Sequence, residues 1–534
     1  MKTALTAAAA AKPRAVKRLW FPALAVLLAG TAITILWSLP EDRLGTDQRN
    51  FYTVGTAAFG IIALTVWVVA LSGLVALVRV SYLILLAAVL FSVRADFNGD
   101  MRPRLYVWWL DQRQSKLRAH RANQTRLPKM ATLPAALTTD VPGFRGIHRD
   151  GVMVGPPLNL DWKASPPKEL WRQPVGGGYA GLVGVGPLLV TIEQRGRQEA
   201  VVCYDAATGT ERWAHEYAAD FRESLGGPGP RATPTIDDDR VYSLGAAGQL
   251  ACLDLLTGKP LWARNILEGN TNLQWGMSGS PLIVGDLVIV NPGCQIEAAK
   301  GRALLALDKK TGETRWTTGS TSAGYSSPQL AVLAGQEQIL LFDGEGLGAY
   351  ELTNGNRLWW FSFPTYQGIN AAQPLVLPDD RVYISAGYGV GGAMLHVSKS
   401  GGSWETKSLW RNTKLKCKFS SPVLYEGFLY GLDDGILACL NARDGQQKWK
   451  GGRYGHGQIL LTNGTIFVQC EDGHIALVRA TPVQFEELAS FMVFASPKNW
   501  NTPLLMNGRV YLRNHEEMAA YDLRSVTPAA AIKH

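Results

Sequence analysis

Cysteine is scarce in this 534-residue chain: there are six, with no C-x-x-C and no adjacent pair, so redox-pair and cysteine-built metal sites have no support. No P-loop, G-x-S-x-G elbow or H-E-x-x-H helix occurs. The histidines, His120, His148, His215, His396, His456, His474, His515 and His534, stand apart without metal-ligand spacing. "GGGYAG" (176–181) satisfies G-x-G-x-x-G, but no helix follows it, which argues against a dinucleotide site. "DFNGD" (96–100) starts like a calcium loop. Its twelfth position is Val107 rather than the glutamate of an EF-hand, so it reads as a turn. The net charge is +9, yet no nucleic-acid-binding motif accompanies it.

The basic residues crowd instead into 94–129: Arg94, Arg102, Arg104, Arg113, Lys116, Arg118, Arg121, Arg126 and Lys129, with Trp108 and Trp109 among them. A solvated linker and a helix lying on anionic headgroups both fit that mixture. Ahead of it is an apolar region. After a basic terminus (1–18), residues 19–39 are uncharged and bordered by Trp20 and Trp37, long enough to span a bilayer with aromatic anchors at its edges. A second apolar stretch, 54–93, is interrupted only by Arg79. Forty helical residues measure about 60 Å, twice a hydrocarbon core of about 30 Å. The expectation is therefore three membrane segments, about 19–39, 54–78 and 80–94. The basic terminus stays in the cytoplasm, and the rest of the chain is exported to the outer side of the inner membrane. Two crossings, which keep it inside, are the competing arrangement. Residues 95–167 are expected to form a juxtamembrane helix and then a proline-rich linker.

From 168 to 526 one line recurs: "VVCYDAATGTERW" (201–213), "LACLDLLTGKPLW" (250–262), "LLALDKKTGETRW" (304–316), "LGAYELTNGNRLW" (347–359) and "LACLNARDGQQKW" (437–449). Tryptophans recur at Trp171, Trp213, Trp262, Trp316, Trp359, Trp410 and Trp449. Periods of 40–50 residues with several strands per unit mean a propeller. Each unit begins at a step such as Thr233–Pro234, Ser280–Pro281 or Ser421–Pro422, and proline suits the entry to an edge strand. The third strand ends in Asp205, Asp254, Asp308, Glu351 or Asn441. Four residues on comes Gly209, Gly258, Gly312, Gly355 or Gly445. The side chain is expected to accept loop N–H groups, and the glycine to supply the reversal. The tryptophan returns on the outer strand, where it can wedge between blades and bury roughly 150–250 Å². Cys203, Cys252 and Cys439 share a position with Ala306, Ala349 and Ala520, and read as small buried filler. Eight units are counted. The last, 503–524, lacks an outer strand that "KELWRQPV" (168–175) can supply, closing the ring without free edges.

These lines resemble the pyrroloquinoline-quinone-type repeat family, whose blades read roughly "LxALDxxTGxxxW"; the resemblance covers 168–526. "GFRGIHRDGV" (143–152) is similar to the entry segment of membrane-tethered members. The resemblance implies an eight-bladed, all-β propeller of four-stranded blades. The family holds quinone-dependent alcohol and glucose dehydrogenases and also non-enzymatic BamB-type assembly factors. Its dehydrogenases hold the quinone over the channel with a calcium ion and often a disulfide of neighbouring cysteines, which this chain lacks. The leading expectation is a membrane-anchored, non-enzymatic binding scaffold with no catalytic, cofactor or metal residues. The alternative is a membrane quinoprotein dehydrogenase requiring PQQ and calcium.

Propellers bind at the channel mouth, through the segments joining one outer strand to the next inner one. Those segments carry Trp275, Tyr325, Tyr366, Asn370, Lys418, Arg453, His456 and Trp500. Aromatic, amide and cationic groups together suit a protein or envelope ligand. Lipid is the expected partner of the amino-terminal helices, and nucleic acid is not expected.

Overall fold

The computed structural model describes residues 19–40, 43–125, 127–496 and 498–525; the terminus 1–18 and the tail 527–534 lie outside the described residues. The chain divides into two units, Met1–Asp111 and Gln112–His534.

In the first unit, α1 (Trp20–Ser38) and α2 (Thr46–Val66) are apolar, and a π turn over Trp67–Leu71 carries α2 to 26 residues. Both are long and apolar enough to cross a membrane. Trp37 Nε1 donates to Thr53 Oγ1 at 3.1 Å and joins the two helices. A third helix, α3 (Ala76–Ser92), is shorter at 17 residues. The break between the second and third segments corrects the sequence reading: it falls at 72–75, not at Arg79, which lies within α3. Ser72 Oγ donates to the Val68 carbonyl and accepts from Leu74 N, and Gly73 takes a φ of +70°. A hydroxyl competing for the backbone, followed by a left-handed glycine, ends the helix. Residues 95–107 also differ from the expected juxtamembrane helix. They belong to an antiparallel hairpin, Val93–Phe97 with Pro103–Val107, whose turn contains Asn98–Asp100 of the supposed calcium loop.

The second unit is a ring of eight four-stranded antiparallel sheets, as the repeat predicts. Blade one is 183–218, two 235–265, three 282–318, four 329–362, five 375–412, six 423–453 and seven 458–492. Blade eight takes three strands from 504–522 and its outermost strand, Lys168–Pro174, from the start of the unit. Innermost strands of successive blades pack side by side around the channel. Blade five carries a ten-residue outer hairpin, Gly391–Ser400 with Ser403–Asn412, which accounts for its irregular spacing in sequence.

The reason for the repeated line is visible in the joints. Each small residue lies directly across from the tryptophan of its own blade: Cys203 from Trp213, Cys252 from Trp262, Ala306 from Trp316, Ala349 from Trp359, Cys439 from Trp449 and Ala520 from Trp171. On the other side of that small residue a tyrosine often stands, as in Tyr242–Cys252–Trp262 and Tyr511–Ala520–Trp171. With no bulk between them, the two rings tilt together at centroid distances of 5.9–6.1 Å in blades two, six and eight, and in blade five Tyr383 and Trp410 meet at 5.5 Å. In blade five Met394 takes the small residue's place. Cys203, Cys252 and Cys439 are fully buried.

Each indole then reaches the next blade. Trp171 donates to the Ala206 carbonyl, Trp213 to Leu255, Trp262 to Lys309, Trp316 to Leu352, Trp410 to Ala442 and Trp449 to Thr481, at 2.7–3.2 Å. Five of those acceptors follow the repeat's acidic or amide residue. Trp359 instead donates to Gln338 of its own blade, because the long hairpin of blade five presents no such turn.

An independent belt runs closer to the channel. Gly181 N donates to Thr233 Oγ1, Thr233 N to Ser280 Oγ, Ser280 N to Ser327 Oγ, Ser327 N to Gln373 Oε1 and Gln373 N to Ser421 Oγ. The residue before each proline thus links its blade to the one before. At the seam of blades eight and one, buried Arg513 donates to Thr191 Oγ1 and to the carbonyls of Ile192 and Gly176. Nearby Arg195 holds buried Glu193 at 2.6 Å, together with Glu211 and Glu216.

Two parts of the expected 95–167 segment are bound to this ring. Helix α4 (Arg113–Asn123) does not lie free as a basic linker. It buries Leu117, pairs Arg121 with Glu211 and Glu216, and bonds His120 to Gln173 on the outer strand of blade eight. Residues 140–159 enter the channel and return. Arg149 donates to the carbonyls of Ser280, Pro281 and Pro328, while Arg145 donates to those of Pro422 and Ile459 on the far side. Burial pushes the Arg149 guanidinium down to about 9 and that of Arg145 to about 10. Met153 N and Leu461 O, with Leu461 N and Gly151 O, seat the returning limb on blade seven.

Candidate functional site

Antiparallel connectivity puts the first-to-second and third-to-fourth strand turns on one face of the ring. The second-to-third turns and the long segments between blades lie on the other. The channel-filling limb belongs to the first face: Asp140 Oδ1 accepts from Gly186 N, and Gly155 O accepts from Asn463 Nδ2, both at first-to-second turns. The opposite face is the other mouth of the channel.

Three groupings form there. Trp500 stacks at 4.8 Å from Phe419 and 5.1 Å from Tyr179, and His456 lies 5.7 Å from Phe419. Trp275 meets Tyr325 at 5.7 Å, and burial pushes the Tyr325 hydroxyl up to about 12. Tyr366, exposed, lies 6.4 Å from Tyr388. Cations join them. The Lys418 ammonium sits 4.6 Å over Tyr388 and 5.9 Å from Phe419, Lys498 sits 4.5 Å over Trp500, and the Arg231 guanidinium covers Tyr179 and Phe221. The result is an aromatic–cation arc from blade five through blade eight to blade one, its cations over ring faces that favour positive charge, and the Trp275–Tyr325 pair extends it through the charge of Arg231.

Of the sequence candidates, Trp275, Tyr325, Tyr366, Lys418, His456 and Trp500 are brought into these groupings. Asn370 is fully buried, and its amide donates to the Asp343 and Phe363 carbonyls, so it shapes the loop. Arg453 ends the outermost strand of blade six, away from the channel. Tyr179, Arg231, Tyr388, Phe419 and Lys498 were missed. Tyr179 and Lys498 occupy the same inter-blade segments, in "GGGYAG" and "PKNW"; their position relative to the outer strand was the available signal. The glycines of "GGGYAG" serve close packing: a Cβ on Gly176 would stand 2.7 Å from the Gln194 carbonyl, and one on Gly178 2.8 Å from that of Pro230.

The carboxylates near the mouth are engaged by the chain itself. Glu471 accepts from Trp500 Nε1 and from His456 N. Asp433 is held by Lys416 and Lys450, which keep its carboxyl below the usual range. Asp343 is fully buried, and desolvation raises it to about 7 although Thr321 Oγ1, Glu345 N and Gly346 N bond to it. Among the described residues no three His, Cys, Asp or Glu side chains converge on a metal-sized site.

The repeat aspartates belong to the opposite face. Asp205 Oδ1 accepts from the backbone N–H groups of Ala207 and Thr208, and Asp308 Oδ1 from those of Lys310 and Thr311. Asp254 Oδ1 accepts from Thr257 N, and Asn441 Oδ1 from Arg443 N. In the Glu351 turn it is Asn354 that accepts, from Asn356 N. Gly209, Gly258, Gly312, Gly355 and Gly445 all have φ of 68–74°, and each donates its N–H to the carbonyl of its acidic or amide residue.

The chain is similar over 350 residues, at 23% identity, to the outer membrane protein assembly factor BamB of Burkholderia pseudomallei (strain K96243), covering 56% of this chain and 86% of that protein. BamB from Moraxella catarrhalis superposes with a TM-score of 0.47 at 16% identity, over 67% of this chain and 97% of the other. The quinohemoprotein alcohol dehydrogenase ADHIIG from Pseudomonas putida HK5 superposes with a TM-score of 0.48 at 13% identity, over 72% and 80%. The family model described as outer membrane protein assembly factor BamB matches 163–293 and 199–451, together more than half of the 534 residues. The chain belongs to that family of PQQ-like repeat propellers.

Proposed function

We propose that this chain is a membrane-anchored, non-enzymatic scaffold whose propeller mouth binds a protein of the cell envelope. The observation that carries the reading is the aromatic–cation arc on the face opposite the filled end of the channel. Exposed Tyr366 and half-buried Trp275, Tyr325, Tyr179 and Trp500 are of the types that concentrate binding energy at interfaces, while Lys418 and Lys498 are themselves buried. The family supports it, as does the Burkholderia relative, which is named an assembly factor. The apolar helices anchor the chain, with three crossings of the inner membrane and the propeller on the side opposite the basic amino terminus.

The alternative is a dehydrogenase holding pyrroloquinoline quinone over calcium at the mouth. The donor chemistry there does not suit that pair. Calcium takes six to eight oxygen ligands. Here Glu471 is bonded to an indole and an amide N–H, and Asp433 to two lysines.

The test is photocrosslinking in native membranes from a benzophenone residue at exposed Tyr366, compared with one at Val332. Val332 is exposed at the end of an innermost strand on the opposite face. A discrete protein adduct from the mouth, absent at Val332, is the expected result. Equal adducts from both faces, or saturable dye reduction with an alcohol or aldose after loading with quinone and calcium, overturn the proposal.

A further inference from the structure

The hairpin that follows α3 has two chemically distinct faces. Cross-strand partners share a face, and faces alternate along each strand. Val93 with Val107, Ala95 with Leu105 and Phe97 with Pro103 make one face wholly apolar. Arg94 with Tyr106 and Asp96 with Arg104 make the other polar. The sheet leads into a 3-10 turn, Trp108–Leu110, in which both indoles and Leu110 are exposed. Leu105 and Leu110 are each 68% exposed.

This element is fastened to the end of an apolar helix. Val93 follows Ser92 directly, and Trp108 Nε1 donates to the Phe91 carbonyl at 2.9 Å. Phe91, Trp108 and Trp109 stack edge to face in series. Arg94 covers the carbonyls of Leu90 and Phe91, which the helix end leaves open, and that of Val93, the first residue of the strand.

Its length and charge decide what covers the apolar face. At 17 residues α3 measures about 25 Å, a few ångströms less than a hydrocarbon core of about 30 Å. Arg94, Arg102 and Arg104 are balanced within 93–111 by Asp96, Asp100 and Asp111, so apolar and aromatic contact, not net charge, must hold it. Indoles beside short apolar strands suit the boundary between acyl chains and headgroups.

We infer that the hairpin and its tryptophan turn form an interfacial foot. The foot seats its apolar face in the lipid boundary where α3 ends and supplies the length that α3 lacks for a third crossing. The occupant is the bilayer surface itself, regardless of headgroup charge. The inference rests on the membrane-anchored reading.

The test uses the full chain in phosphatidylcholine vesicles, with Cys294→Ser removing the partly exposed thiol; the other five cysteines are buried. An NBD probe on Leu105→Cys is compared with probes on Val26→Cys, on the exposed surface of α1, and Val332→Cys, on the propeller. The expected result at 105 is quenching by lipids brominated close to the headgroup and loss of the iodide quenching seen at 332, both unchanged by salt. Iodide quenching at 105 equal to that at 332, with the Val26 probe still quenched by brominated lipid, overturns the foot alone. Escape of the Val26 probe from brominated lipid overturns the anchored reading and the foot with it. Shielding at 105 that disappears in high salt overturns the apolar basis.

Discussion

Gly355 carries two constraints at once. Its φ of +72° favours glycine, and a Cβ added there would stand 2.5 Å from the Trp316 ring of the preceding blade. The same holds at Gly258, where the added carbon would meet Trp213 at 2.4 Å. The repeat glycine is therefore the socket floor for a neighbour's indole as well as a turn residue. Gly355→Ala is expected to lower stability by about 1–3 kcal/mol through backbone strain and overpacking. Trp316→Phe, which loses only the bond to the Leu352 carbonyl and part of the ring, is expected to cost about 1 kcal/mol. Denaturant titration checks both. Asp343 makes a prediction in pH. Its folded value of about 7 lies above the ordinary 3.8, so between those values the folded chain holds the extra proton. The corresponding stability is fully present below about pH 4 and is lost as pH rises towards 7. Asp343→Asn should flatten that part of the stability profile, and melting temperatures across pH 4–8 read the difference.

Among the elements, the blades were the most legible in sequence. Period, turn glycine and tryptophan all report one interface repeated around a ring. The shared outer strand of blade eight was legible too, because "KELWRQPV" has an outer strand with no blade before it. The segment 140–159 was legible only as a resemblance over 143–152, and its course through the channel was hidden for a physical reason. It has no strand or helix period, since its order comes from guanidinium bonds to carbonyls of blades far away in sequence. The α2–α3 break was hidden because hydropathy averages over Ser72 and Gly73, where a hydroxyl and a left-handed φ act locally. The mouth was half legible: position along the repeat finds the segments, but not which side chains meet between neighbouring segments, as Tyr179 and Trp500 do. Arg149→Ala should test the channel-filling segment. Removing three donors from buried carbonyls is expected to cost about 3 kcal/mol or more. It should also open residues 140–159 to protease while the blades stay resistant, as limited digestion with mass mapping would show.

At the scale of the whole molecule, the ring separates stability from recognition. The indole sockets and the hydroxyl belt are consumed in holding blades together, and the channel is filled from one face. The other face carries aromatic rings such as exposed Tyr366 in loops outside the indole sockets and the hydroxyl belt. The measurement that tests this division most directly is crosslink yield from position 366 in native membranes, read together with the denaturation midpoint, for Trp275→Ala and for Gly355→Ala. Trp275→Ala is expected to remove most of the protein adduct with little change in midpoint, and Gly355→Ala to lower the midpoint while the folded fraction still forms the adduct. An adduct undiminished by Trp275→Ala would contradict that division.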